Sequence, residues 1–271
     1  MASDLHSFLL SGKITVEKYI RNIKVLIEGS TTPVITLVQR NLESSMLILY
    51  DRDRFKVQAL EILNHMLNEI GDAKEGEDSM KAITRQRIRE TLSSQDIGFA
   101  RKNSTGFSEY FSTPPELRQA LAISKAIVSE SIDELREMYL KATDDTDRNK
   151  LIISMGWAKG KSNHKALIKM IAKGEIKRQD SPWGLITLIK NPDSRNYILG
   201  IFKEIINSLR KSFAGSGFAS QAMHISLPFL GVVDERKTRK LAAALNGPDV
   251  SNGISKGLEM LDIYINFRKY N

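Results

Sequence analysis

The chain has 271 residues, a net charge of +8 and no cysteine. The absence of cysteine excludes a disulfide scaffold, a cysteine-held zinc finger, an iron–sulfur centre and a cysteine nucleophile. No apolar run approaches the roughly 20 residues of a membrane-spanning helix. The first residues lack the basic and long apolar stretches of a secretion signal, so a cytoplasmic, membrane-free location is expected.

Helical periodicity runs through the whole chain. Apolar residues at three- and four-residue steps predict helices over 15–28, 33–50, 53–70, 79–93, 116–129, 132–142 and 147–158. The pattern returns over 163–173, 182–190, 195–211, 219–230, 235–245 and 250–269. Over 53–70 it is carried by Phe55, Ala59, Ile62, Leu63, Met66 and Ile70. No useful stretch alternates as a strand would. Gly71 to Asp78 is polar and reads as a loop, and Thr113-Pro114-Pro115 opens a helix. Asp144, Asp145 and Asp147 are candidate N-caps, and Gly160, Gly174 and Gly247-Pro248 read as breaks. The expected fold is all-α. The helix pairs over 131–211 suggest a curved array of antiparallel pairs, an armadillo- or HEAT-like superhelical bowl. An irregular helical bundle is the alternative.

Charge is uneven. Residues 148–211 carry 14 Lys and Arg against four acids, a net +10, while the rest of the chain is at −2. Clustered cations attract phosphates, acidic peptides or a peptide's terminal carboxylate. Lys161, Lys165, Lys169 and Lys173 stand four residues apart and are read as a solvated helix face. Arg178 and Arg195 flank helix breaks, where a side chain can point into a groove. For each of them the alternative is a helix-terminal charge that stabilises the last carbonyls. Asp180 is read as the N-cap of the helix containing Trp183.

No catalytic constellation or metal site emerges. The four histidines (His6, His65, His164, His224) show no four-residue spacing, so there is no HExxH zinc helix. Gly156 to Ser162 imitates a phosphate loop, but three residues separate its glycines where that loop needs four, and it follows a helix instead of a strand.

Several segments carry a family resemblance. The run from Ser131 to Tyr139, then Thr146-Asp147-Arg148 leading into Leu151 to Gly156, resembles the C-terminal helical domain of aminopeptidase N-type zinc metallopeptidases. So do Ile176-Lys177-Arg178-Gln179-Asp180-Ser181, the helix from Asn196 to Leu209, and the Gly215-Ser216-Gly217-Phe218 turn. Asp4 to Tyr19 resembles the start of that domain. Within the family, the lean, cysteine-free chain is most similar to the archaeal tricorn protease interacting factors. The resemblance implies one helical domain over 1–271, while the Gly71–Asp78 loop and the Thr113-Pro114-Pro115 break leave two lobes, 1–130 and 131–271, open. The catalytic domain, with its HExxH zinc site and GAMEN-type motif, is missing.

In the family this domain caps the zinc site, encloses the peptide cavity and gates substrate entry. The resemblance thus implies no cofactor in this fragment and zinc in the parent enzyme. Implied partners are the parent's catalytic domain, peptide substrates and the tricorn protease. The fragment alone is expected to be inactive as a peptidase. Arg178 and Arg195, with Lys177 and Lys150 behind them, are the candidate peptide-binding residues. A helical-repeat nucleic-acid-binding protein or a protein-interaction scaffold is the competing reading. The low aromatic content, 7%, argues against stacking on single strands.

Overall fold

Polar residues at the helix starts set the local structure. In the computed structural model, which describes residues 1–271, Thr15 accepts the Lys18 amide at 3.4 Å and starts α2 (Val16–Ile27). Asp78 does the same for α5 (Ser79–Gln95), Asp96 for α6 (Ile97–Ser104), Asp144 for α9 (Asp145–Met155) and Asp234 for α14 (Glu235–Leu245). Each cap satisfies amides that have no partner inside the helix. The Gly71–Asp78 loop joins α4 (Asp53–Ile70) to α5, and Pro115 stands at the start of α7 (Pro115–Val128).

The remaining elements are α1 (Ala2–Leu10), α3 (Thr32–Ile48), α8 (Asp133–Lys141), α10 (Lys161–Ala172) and α11 (Ser181–Lys190). They are followed by α12 (Arg195–Ser212), α13 (Phe218–Gly231) and α15 (Ser251–Tyr270). A single 3₁₀ turn covers Phe107–Glu109, and there is no strand. The fold is all-α, as expected. The sequence pattern missed α1 and α6. They span nine and eight residues.

The odd-numbered helices pack side by side in chain order. α3 touches α5, α5 touches α7, and so on through α9, α11 and α13 to α15. The row returns on itself, because α1 packs against both α15 and α3. The even-numbered helices fill against this row. Buried apolar side chains form two clusters. One of 22 residues gathers side chains from α1 to α5, together with Val232 and Phe267. The other, of 39 residues, gathers Leu47 and side chains from Ala100 to Ile254. α15 contributes to both, with Ile254 in the larger and Phe267 in the smaller.

Close approach makes that last helix fit. Gly253 and Gly257 lie one turn apart on α15 and face α13. A Cβ at Gly253 would sit 1.9 Å from the Ser220 carbonyl oxygen, and one at Gly257 would sit 3.0 Å from the Met223 oxygen. Only glycine allows backbones this near. At the far end of α15, Arg268 donates to the Ile48 carbonyl at 2.5 Å and pairs with Asp51 at 2.8 Å. The Asn271 side chain accepts the Val16 amide at 2.9 Å.

Gly253→Ala is expected to destabilise the chain by about 1–3 kcal/mol, because α13 and α15 must separate. Gly200→Ala, where an added Cβ meets nothing within 4 Å, is expected to be neutral or to stabilise by up to about 1 kcal/mol. Urea unfolding of both variants checks this, and equal effects would contradict the packing argument.

Candidate functional site

The odd-numbered helices line a groove. Arg40 and Glu43 of α3 line it with Arg87 and Glu90 of α5, and Gln119 of α7, Ile153 of α9 and Trp183 and Lys190 of α11 add to the lining. This stretch encloses about 490 Å³. At Ser94 and Trp157 it meets a second stretch of about 280 Å³, lined by Lys56, Lys159 and Asp193. Both tryptophans of the chain lie on the groove. Trp157 is 6% exposed, and Trp183 is 49% exposed.

Hydrogen bonds set the wall between α3 and α5. The buried Gln39 amide donates to Glu43 at 3.0 Å and to the Thr91 hydroxyl at 2.8 Å. Gln86 donates to Glu90 at 2.7 Å. Burial raises the Glu90 carboxyl above the usual carboxylate range, and Glu43 adds to the rise, while Arg87 and Lys150 oppose it. At the other end burial lowers the Lys56 ammonium, helped by the like charge of Lys159. The groove therefore mixes both signs of charge.

The residues singled out from the sequence do not converge. Arg195 is fully buried. Its guanidinium donates to the Ile189 carbonyl at 3.1 Å and to the Lys190 carbonyl at 2.7 Å, which closes the C-terminal end of α11. It also lies 5.1 Å from the Tyr50 ring and 5.0 Å from the Phe229 ring. Burial pushes its pKa down to about 9, against the pull of Tyr50. The expectation that Arg195 faces a groove is thus corrected. The helix break that suggested exposure instead folds this side chain inward, and the alternative role at the last carbonyls is the one it plays.

Arg178 is exposed and lies over the Phe213 ring at 4.9 Å. It lines a separate, mainly apolar groove together with Lys177. Lys177 donates to Asp145 at 2.6 Å. Lys150 is half-buried and donates to the Pro115 carbonyl at 2.6 Å. Its charge acts on Glu90. Asp180 occupies the N-cap position of α11, but its side chain makes no cap bond, and its buried Oδ2 has no partner. Burial raises its pKa, and Asp145 adds to the rise.

Sequence reasoning missed Arg40, Glu43, Arg87 and Glu90. Their signal is a repeated spacing. Arg40 and Glu43 stand three apart on α3, and Arg87 and Glu90 stand three apart on α5, so each pair shares a helix face.

No group of three or more His, Asp or Glu side chains could hold a metal ion. His164 is buried with Nε2 2.9 Å from the Ala158 carbonyl, and burial lowers its pKa. His65 is exposed on α4. The side chains present do not fit a zinc site.

Residues 1–261 match the family model described as the ERAP1-like C-terminal domain. The chain belongs to the ERAP1-like C-terminal domain family. It is 30% identical over 264 residues to the tricorn protease-interacting factor F2 of Thermoplasma acidophilum, covering 97% of this chain and 33% of that protein. The protein of the same name from Thermoplasma volcanium is 28% identical over 263 residues, again covering 97% of this chain and 33% of the relative. A leucyl aminopeptidase of Saccharolobus solfataricus is 29% identical over 265 residues, with the same shares. The chain thus spans 33% of the length of these curated relatives. The resemblance read from the sequence is confirmed at this level, as a C-terminal domain of an aminopeptidase-type enzyme family.

Arg195→Ala is expected to cost about 3 kcal/mol, through two lost carbonyl bonds and the space left behind. Arg178→Ala is expected to stay within about 0.5 kcal/mol of the parent. Urea unfolding of the two variants measures the difference, and a neutral Arg195→Ala would remove its structural role.

Proposed function

We propose that this domain caps the active site of a zinc aminopeptidase and encloses the cavity that receives the peptide. By its position it gates substrate entry. The observation that carries the reading is the polar groove itself. Five consecutive odd-numbered helices contribute to one open surface, from Gln39 of α3 to Lys190 of α11. In a domain of this family such a surface suits the body of a peptide, which is extended, polar along its backbone and charged at its ends.

The armadillo- or HEAT-like bowl belongs to this reading, with the odd-numbered row as its inner face. The lobes at 1–130 and 131–271 enter as its two walls, α3, α5 and α7 on one side and α9 and α11 on the other. Arg40, Arg87 and Lys190 supply donors for peptide carboxylates and carbonyls. Glu43 and Glu90 offer acceptors for peptide amides and cationic side chains. Lys150 acts on the charge of Glu90. Lys177 and Arg178 line the separate apolar groove and have no part in this surface. Zinc and the water that it activates belong to the parent's catalytic domain.

The names of two relatives state an interaction with the tricorn protease, and the same partner is proposed for this protein. No helix is long and apolar enough to cross a membrane, and a cytoplasmic location fits this role. A nucleic-acid surface fits less well, because Glu43 and Glu90 would face the phosphates.

The two tryptophans provide the test. Titration of the chain with peptides of about ten residues is expected to change the tryptophan emission, with binding that weakens as salt rises. Trp183→Phe should remove most of the signal, because Trp183 is the more exposed of the two. Arg87→Ala should weaken binding roughly tenfold, as one charge-assisted contact is lost. An unchanged emission at millimolar peptide would contradict the assignment of this groove.

A further inference from the structure

The apolar groove on the other flank of α11 shares no lining residue with the polar groove. It lies between α10 and α12 and encloses about 600 Å³. Leu185, Ile205 and Leu209 form a buried floor, and Ile168, Ile201 and Phe213 stand half-exposed along the sides. α10 and α12 meet where the His164 ring stacks on Tyr197, with centroids 6.3 Å apart, and the groove opens beyond that contact, between Ile168 and Ile201. Apolar side chains left open to water in this way favour a partner that covers them.

Charge narrows the choice of partner. Arg178 makes no ion pair or hydrogen bond, and its guanidinium carbon lies 4.9 Å from the Phe213 ring centre. Lys165, Lys169 and Lys173 follow one another at four-residue steps on α10, are exposed, and have no carboxylate within 4.0 Å. Among the lining residues the only acid is Glu204. The seam is thus an apolar trough with Arg178 unpaired on its lining, Lys177 paired with Asp145, and further unpaired lysines exposed along α10.

We propose that the seam between α10 and α12 docks an acidic amphipathic helix of a partner protein. Leucine-sized side chains at one-turn spacing would enter the trough, and flanking carboxylates would meet Arg178 and the lysines of α10. Charge complementarity sets the acidic sign of the partner and speeds the encounter. Nucleic acid matches the rim but leaves the apolar floor uncovered. The proposal is independent of the peptide reading, since the two grooves share no residue.

The experiment uses the whole chain and two fluorescein-labelled helical peptides of about 18 residues, roughly five turns. Both carry leucines along one face. One has glutamates beside them, and its twin has lysines. The acidic peptide is expected to bind at least about tenfold more tightly than the twin, with an affinity that falls as salt rises. Arg178→Glu and Ile201→Glu, each shown by circular dichroism to keep the parent's helix content, should each weaken it about tenfold or more. Trp183→Phe, in the polar groove, should leave it unchanged. Equal binding of the two peptides, or no loss in folded Arg178→Glu and Ile201→Glu, would overturn the proposal. So would a short DNA duplex that displaces the peptide and loses its own binding in the same variants. Self-association of the chain that the same variants abolish would assign the seam to a second copy instead.

Discussion

Two guanidinium groups meet at Tyr50, where the first helices, α12 and the last helix come together. Arg195 and Arg268 each lie 5.1 Å from its ring. Tyr50 follows α3, Arg195 opens α12, and Arg268 is near the end of α15. Both cations also hold carbonyls at helix ends, Arg195 those of α11 and Arg268 that of Ile48. Such bonds are strong because donor charge meets the negative end of a helix away from water. The ring faces add attraction to cations that have shed their hydration. Arg195 has no carboxylate partner, and its cost of burial is met by carbonyls and aromatic faces alone.

With those ends joined, the odd-numbered helices hold their order, and the polar groove follows from that order. Its lining comes from residues separated by more than a hundred positions, from Gln39 to Lys190. The hydrogen bonds of Gln39 and Gln86 hold the two carboxylates of the α3–α5 wall in place. A surface fixed in this way suits a domain whose contribution is position more than chemistry.

Much of the fold was legible. Helix periodicity, the Asp144 cap of α9 and the proline at the start of α7 are local signals, and each helix they mark is present within a few residues. The groove was less legible, because it depends on which helix faces meet. Arg195 shows why. Its neighbours in sequence, Asn191 and Pro192, suggested an exposed break, whereas its fate is decided by Tyr50 and Phe229, both distant in the chain. Arg178 has a similar sequence setting and stays outside, over the Phe213 ring. The net +10 of residues 148–211 did not locate the groove either. Only Lys159 and Lys190 of that stretch line it, and the others are spread over several faces. The paired Arg and Glu spacing on α3 and α5 was present in the sequence, but its meaning came only when the two helices were seen side by side.

The most direct measurement combines this chain with the separately produced remainder of the Saccharolobus solfataricus leucyl aminopeptidase and compares cleavage of long and short peptides. If the domain encloses the peptide path, adding it changes the ratio of long to short cleavage, and the chain alone cleaves neither. An unchanged ratio, with the two parts shown to associate, would contradict the account.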